Sequence, residues 1–164
     1  MNTLLHITLA TWRALPLTGL VLILMLHPFL QASAGPVAEP TPAVLPEAAQ
    51  TELEQQWGIR VLSLRQSASG YMLDFRYRVV DPLKAQELLN RKLKPQLIVN
   101  KSGNRLQVPS PPKLGPLRQS SRAPRADTNY FIFFANPGRQ VEIGDAVSIQ
   151  IGDLEIAGLT VTRS

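Results

Sequence analysis

The chain contains no cysteine, and this absence removes more function classes than any motif adds. Without thiols there is no disulfide framework, no cysteine nucleophile and no thiolate metal site. Histidine is nearly as scarce: both copies, His6 and His27, fall within the first 34 residues. If that segment is removed, Ser-His-Asp catalysis and imidazole-bound zinc or copper are excluded as well. Of the three methionines only Met72 lies beyond it. No resident metal and no cofactor are expected.

Long apolar runs are few, and the longest stands near the start. Arg13 precedes an apolar stretch from Ala14 to Leu30, and Ala32-Ser33-Ala34 follows. A basic residue, an apolar stretch and a small-x-small site are the three parts of an export signal. Residues 1–34 are therefore expected to be a signal peptide, cleaved between Ala34 and Gly35. The alternative is an uncleaved inner-membrane anchor over residues 14–30, short against a span of about 20 and interrupted by Pro16 and Pro28. Export without cysteine points to the periplasmic or extracellular side of a bacterial envelope rather than to a disulfide-stapled secreted domain. The remaining length can stand on its own apolar core.

Charge is present but uneven. Residues 35–59 carry four Glu and no base, whereas residues 60–125 carry 14 Lys and Arg against Asp74, Asp81 and Glu87. Residues 126–164 turn acidic again, with Arg139 and Arg163 against five acids. Two readings fit a basic middle: cations that keep strand edges solvated, or a face for an anionic partner. Nucleic acid is not expected, because an exported chain seldom meets it and the bases lack aromatic residues interleaved as stacking platforms.

The pattern from residue 46 onward is mainly strand and turn. Gly35 to Leu45 holds three prolines and reads as a flexible leader. Pro46 to Trp57 places Ala49, Leu53 and Trp57 on one helical face, with Gly58 to close it and Trp57 to dock it on a sheet. A strand Ile59–Gln66 and a turn Ser67–Gly70 lead to Tyr71–Val80. There Tyr71, Leu73, Phe75, Tyr77 and Val79 alternate with Met72, Asp74, Arg76, Arg78 and Val80, giving one packed and one wet face. Asp81 can cap a second helix, Pro82–Leu89. Strands at Pro95–Asn100 and Arg105–Val108 flank a turn at Lys101–Asn104.

Pro109 to Thr128 holds five prolines and four bases, Lys113, Arg118, Arg122 and Arg125, against Asp127. It is expected to lack regular structure and to be the best interaction surface in the chain. Tyr130 to Phe134 is an almost unbroken apolar run, expected to be a strand buried on both faces or at the centre of a sandwich. Turns at Asn136-Pro137-Gly138 and Gly144-Asp145 precede the alternating Val147, Ile149 and Ile151, then Leu154, Ile156, Leu159 and Val161. Seven to eight strands at this spacing predict an antiparallel immunoglobulin-like β-sandwich with two short helices over residues 46–164.

Pro137 to Val147, PGRQVEIGDAV, resembles the glycine-aspartate turn of biotinyl and lipoyl carrier domains and of efflux-pump adaptor proteins. The likeness covers eleven residues and implies two strands meeting at a Gly-Asp turn. Carriers present a modifiable lysine, and none follows Lys113. The long helical hairpin of the adaptors has no counterpart here.

Asp145 and Asp153 each follow glycine. An acid-only hydrolase or a calcium site built on them ranks last, because Asp beside Gly is ordinary turn chemistry. The favoured expectation is a non-enzymatic envelope protein acting as a binding or accessory module. Its partner would be a protein or an anionic envelope component, met by Arg76, Arg78, Arg91, Lys92, Lys94, Lys113, Arg118, Arg122 and Arg125. No small-molecule substrate is identified, and membrane contact is expected only through an uncleaved N-terminal segment. A structural subunit or assembly factor of an envelope complex is the alternative.

Overall fold

The computed structural model describes residues 45–163. The expected signal peptide or anchor, and the leader up to residue 44, lie outside the described residues. Among the described residues no helix is long and apolar enough to cross a membrane.

Among the described residues two α-helices and seven strands follow one another in the order α1 (Glu47–Trp57), β1 (Ile59–Ser67), β2 (Met72–Val79), α2 (Pro82–Ala85), β3 (Gln96–Val99), β4 (Arg105–Gln107), β5 (Thr128–Ala135), β6 (Ala146–Ile151) and β7 (Leu154–Thr160). The strands form two antiparallel sheets, ordered β1-β2-β5 and β4-β3-β6-β7. The inward residues of both sheets belong to one buried cluster.

In the first sheet, register converts alternation directly into two faces. The rows Val61–Tyr77–Tyr130, Leu64–Phe75–Ile132 and Leu73–Phe134 point inward. Tyr77 stacks on Phe75 and on its cross-strand partner Tyr130, at ring-centroid distances of 5.7 and 5.9 Å. The rows Arg60–Arg78–Asn129, Ser63–Arg76–Phe131 and Arg65–Asp74–Phe133 point outward. This corrects the expectation for the Phe-rich strand. Tyr130, Ile132 and Phe134 are buried, but Phe131 and Phe133 are half-exposed on the outer face. Tyr71 also departs from the inward set: it ends the hairpin turn, exposed, with the Arg139 guanidinium 5.7 Å above its ring.

Both edges of the first sheet are covered by something other than a strand. On the β5 side the Phe133 amide donates to Leu117 O (3.0 Å) and the Gln119 amide donates to Phe131 O (3.0 Å). The proline-rich segment thus holds no helix or strand, yet three of its residues pair with β5. On the β1 side the buried amide of Gln50, from α1, donates to Val61 O (2.8 Å) and accepts from the Val61 amide (2.9 Å). Farther along the same edge the Thr162 amide donates to Leu64 O (2.9 Å), and Thr162 O accepts from the Gln66 amide (3.1 Å). Unpaired edge groups invite other strands, so each of these contacts removes a liability.

Both helices are shorter or shifted relative to expectation. Pro46 sits just outside α1, and Gly58 closes it in a left-handed conformation (φ 64°). A Cβ at Gly58 would lie 2.5 Å from Asp81 O, so glycine is required there on two counts. Trp57 packs against the core, as expected of a docking residue, and borders a cavity of about 230 Å³ between α1 and β7. Asp81 caps α2 through Leu83 N (2.9 Å) and Lys84 N (3.3 Å), but the helix ends at Ala85 and gives way to turns. Leu154 to Thr160 is one strand bulged where Ala157 and Gly158 oppose a single residue of β6.

Candidate functional site

The cations that the sequence scattered over thirty positions are partly brought together by the early end of α2. Past Ala85 the chain runs in turns, whose carbonyls need donors from outside a helical ladder. The Arg118 guanidinium supplies three such bonds, donating to Asn90 O (2.8 Å), Leu93 O (3.1 Å) and Leu88 O (3.4 Å). Arg118 can reach because its residue pairs with Ile132 across the β5 edge and is fixed there. Burial pushes its pKa down, an effect partly opposed by Tyr77. Burial likewise raises the Tyr77 hydroxyl, against the pull of the Arg118 charge. Arg118 is thus a half-buried staple between the turn after α2 and the proline-rich segment.

Stapling these segments opens a cleft of about 970 Å³ between them. Gln86, Leu89, Asn90, Arg91 and Lys92 form one wall; Ser120, Ser121 and Arg122 form the other. The Ser121 amide donates to Leu89 O (3.1 Å), and Arg91 Nε donates to Ser120 Oγ (3.2 Å), tying wall to wall. Within each wall the Lys92 amide is fixed on Asn90 Oδ1 (3.0 Å) and the Ala123 amide on Ser121 Oγ (3.1 Å). Arg91, Lys92 and Arg122 are exposed, and none of the residues lining the cleft is acidic. Three cations beside two hydroxyls can hold an oxyanion by charge-assisted hydrogen bonds. No carboxylate or imidazole lines the cleft to take a proton from either serine.

The other expected site residues lie elsewhere. Arg76 and Arg78 are exposed on the outer face of the first sheet. There Arg76 Nε donates to both oxygens of Asp74 (2.9 and 3.2 Å), and Arg78 Nε donates to Asn129 Oδ1 (3.0 Å). Lys94, Lys113 and Arg125 are exposed outside the cleft, and Arg118 supports it without lining it. Sequence reasoning missed Gln86, Asn90, Ser120 and Ser121. The one available signal was the text RQSSR at 118–122, two hydroxyls between two cations.

The two aspartates occupy turns. Asp145 accepts from Lys101 Nζ (2.7 Å) and from the Glu142 amide (2.8 Å), which together hold its carboxyl below the usual range, the Lys101 bond most of all. Asp153 is exposed in the turn between β6 and β7. Among the described residues no group of three or more His, Cys, Asp or Glu is gathered as a metal ion would need.

No family model matches the chain, and no curated protein or solved structure matches it significantly.

Proposed function

We propose that the chain is a non-enzymatic, exported binding or accessory module of a cell envelope that engages an anionic partner at the Arg91–Lys92–Arg122 cleft. The observation that carries this reading is the meeting of three exposed cations and two serine hydroxyls in one cleft with no acid among its lining residues. A partner carboxylate or phosphate entering there gains three opposite charges and displaces no internal salt bridge. The absence of a base beside Ser120 or Ser121 favours capture over turnover. Export is proposed on the N-terminal sequence, and the partner then belongs to the envelope.

The scaffold we propose is an immunoglobulin-like sandwich. Constant-type domains order their strands 1-2-5-4 and 3-6-7. The orders here, β1-β2-β5 and β4-β3-β6-β7, differ by moving the fourth strand to the other sheet. One buried cluster shared by both sheets is in keeping with that arrangement.

The test is a pull-down from an envelope fraction with the full chain and with an Arg91→Glu, Arg122→Glu variant, washed at low and then high salt. A partner held by the wild type, lost by the variant and released at high salt supports the cleft, since the Debye length falls to about 3 Å at 1 M salt. A partner kept equally by both proteins through high salt refutes the cleft and favours apolar docking into an assembly.

A further inference from the structure

A second surface, built from other residues, carries its own ligand chemistry. It is the outer face of the first sheet, where Phe131 and Phe133 form a tilted pair with ring centroids 5.2 Å apart and both rings half-exposed. Arg76 lies directly across from Phe131, and Arg78 one row beyond. In the row of Phe133 stands Asp74, almost fully buried, and across from it Arg65. The Nε of Arg65 is buried without a hydrogen-bond partner, although a guanidinium N–H left in that condition is costly.

The residue types on this face are those enriched at the centre of protein interfaces. Phenylalanine, methionine (Met72) and arginine are present in its rows, and lysine is not. We propose that this face docks an acidic segment of a partner protein, whose apolar side chains seat on Phe131 and Phe133 while its carboxylates meet Arg65, Arg76 and Arg78. Charge complementarity selects the acid. Asp74 selects polypeptide over nucleic acid: a nucleic-acid strand carries a phosphate at every step and would have to place one near this carboxylate. A polypeptide can set an apolar side chain there and keep its acids over the arginines. The outer row of Arg60 adds no free charge, since Arg60 is paired with Glu54 and Glu47, and Arg76, whose Nε is already bonded to Asp74, offers a partner only its terminal nitrogens.

The experiment titrates the full chain with a fluorescein-labelled peptide of alternating glutamate and leucine or phenylalanine. The same peptide with lysine at every acidic position and a labelled oligothymidylate are titrated beside it. The acidic peptide is expected to bind, and Arg65→Ala with Arg76→Ala to weaken it about tenfold or more. The exposed substitution Arg78→Glu, which leaves the core untouched, is expected to shift preference toward the lysine peptide. The titrations are repeated in an Arg91→Ala, Arg122→Ala background, which removes carboxylate capture by the cleft; peptide binding that remains there and still depends on Arg65 and Arg76 separates this proposal from the cleft. Four results overturn it: no binding of the acidic peptide, equal binding of both peptides, stronger binding of oligothymidylate, or loss of peptide binding only in the cleft variant.

Discussion

Replacing Arg118 by alanine tests how much of the cleft depends on one side chain, beside the Ser121–Leu89 and Arg91–Ser120 bonds that also tie its walls. The guanidinium serves three backbone carbonyls, at 2.8, 3.1 and 3.4 Å. A hydrogen bond from a charged donor is worth about 1.5–3 kcal/mol when well formed and dry. Arg118 is half-exposed, so water can replace part of what is lost, and the longest contact counts for little. About 1 kcal/mol for each of the two shorter bonds gives a loss of roughly 2 kcal/mol. In a domain of this size that lowers the melting temperature by roughly 6–10 °C. Arg118→Lys is expected to recover about half, because a compact ammonium reaches one carbonyl where the fork spans three. Thermal unfolding followed by far-ultraviolet circular dichroism reads the global effect. Amide exchange at Ser121, bonded to Leu89 O, and at Leu93, bonded to Asn90 O, reads the local one. Anion capture should fall as well, though no cleft cation has changed. If Arg118→Ala melts within a degree of the parent and the Ser121 amide keeps its protection, Arg118 is an idle surface cation and the reasoning fails.

Gly58→Ala should cost about 3 kcal/mol: roughly 1–2 for the left-handed backbone and the rest for a Cβ driven against Asp81. A urea titration would show a lower midpoint at an unchanged slope, and a midpoint equal to the parent's would contradict this. Asn136 is fully buried, donating to Gly70 O (2.8 Å) and Val141 O (2.9 Å) and accepting from the Val141 amide (3.1 Å). Asn136→Ala should therefore destabilise by about 2–4 kcal/mol. Asn136→Asp should be worse at neutral pH, with a carboxylate facing two carbonyls, and should improve in acid; a flat pH response would rule that out. Because burial raises the folded-state pKa of Tyr77 above its unfolded value, its contribution to stability is complete below pH about 10 and is lost as pH rises further. Tyr77→Phe should flatten the alkaline limb of melting temperature against pH, and an unaltered limb would count against the assignment.

How much of this was legible depended on whether a local period existed to be read. β2 was clear because Leu73, Phe75, Tyr77 and Val79 are buried while Arg76 and Arg78 are exposed; only Asp74, on the outer face yet almost fully buried, breaks the alternation. β5 was not, since five consecutive apolar residues carry no phase; only its pairing with β2 shows that Phe131 and Phe133 face out. Val141 and Ile143, spaced like strand residues, lie in a turn because the Asn136 side chain takes both backbone groups of Val141. The prolines of residues 109–128 correctly ruled out a helix or strand but hid the three residues that pair with β5, which need only backbone. Arg118 read as a surface cation because its carbonyl acceptors come from residues 25 to 30 positions earlier. The cleft shares that difficulty: its bases were visible, and their meeting was not.

The covered edge of β1 bears on how the chain emerges during synthesis. Gln50 guards Val61 from 11 positions away and is made before β1 itself, so that part of the edge can be shielded at once. The partner of Leu64 and Gln66 is Thr162, 98 positions after Leu64. At about 5–20 residues per second, the ribosome leaves that stretch waiting for roughly 5–20 s. A nascent chain therefore carries one shielded and one open segment on the same strand. A chaperone, or a second nascent chain, would meet β1 at Leu64 to Gln66 and not at Val61.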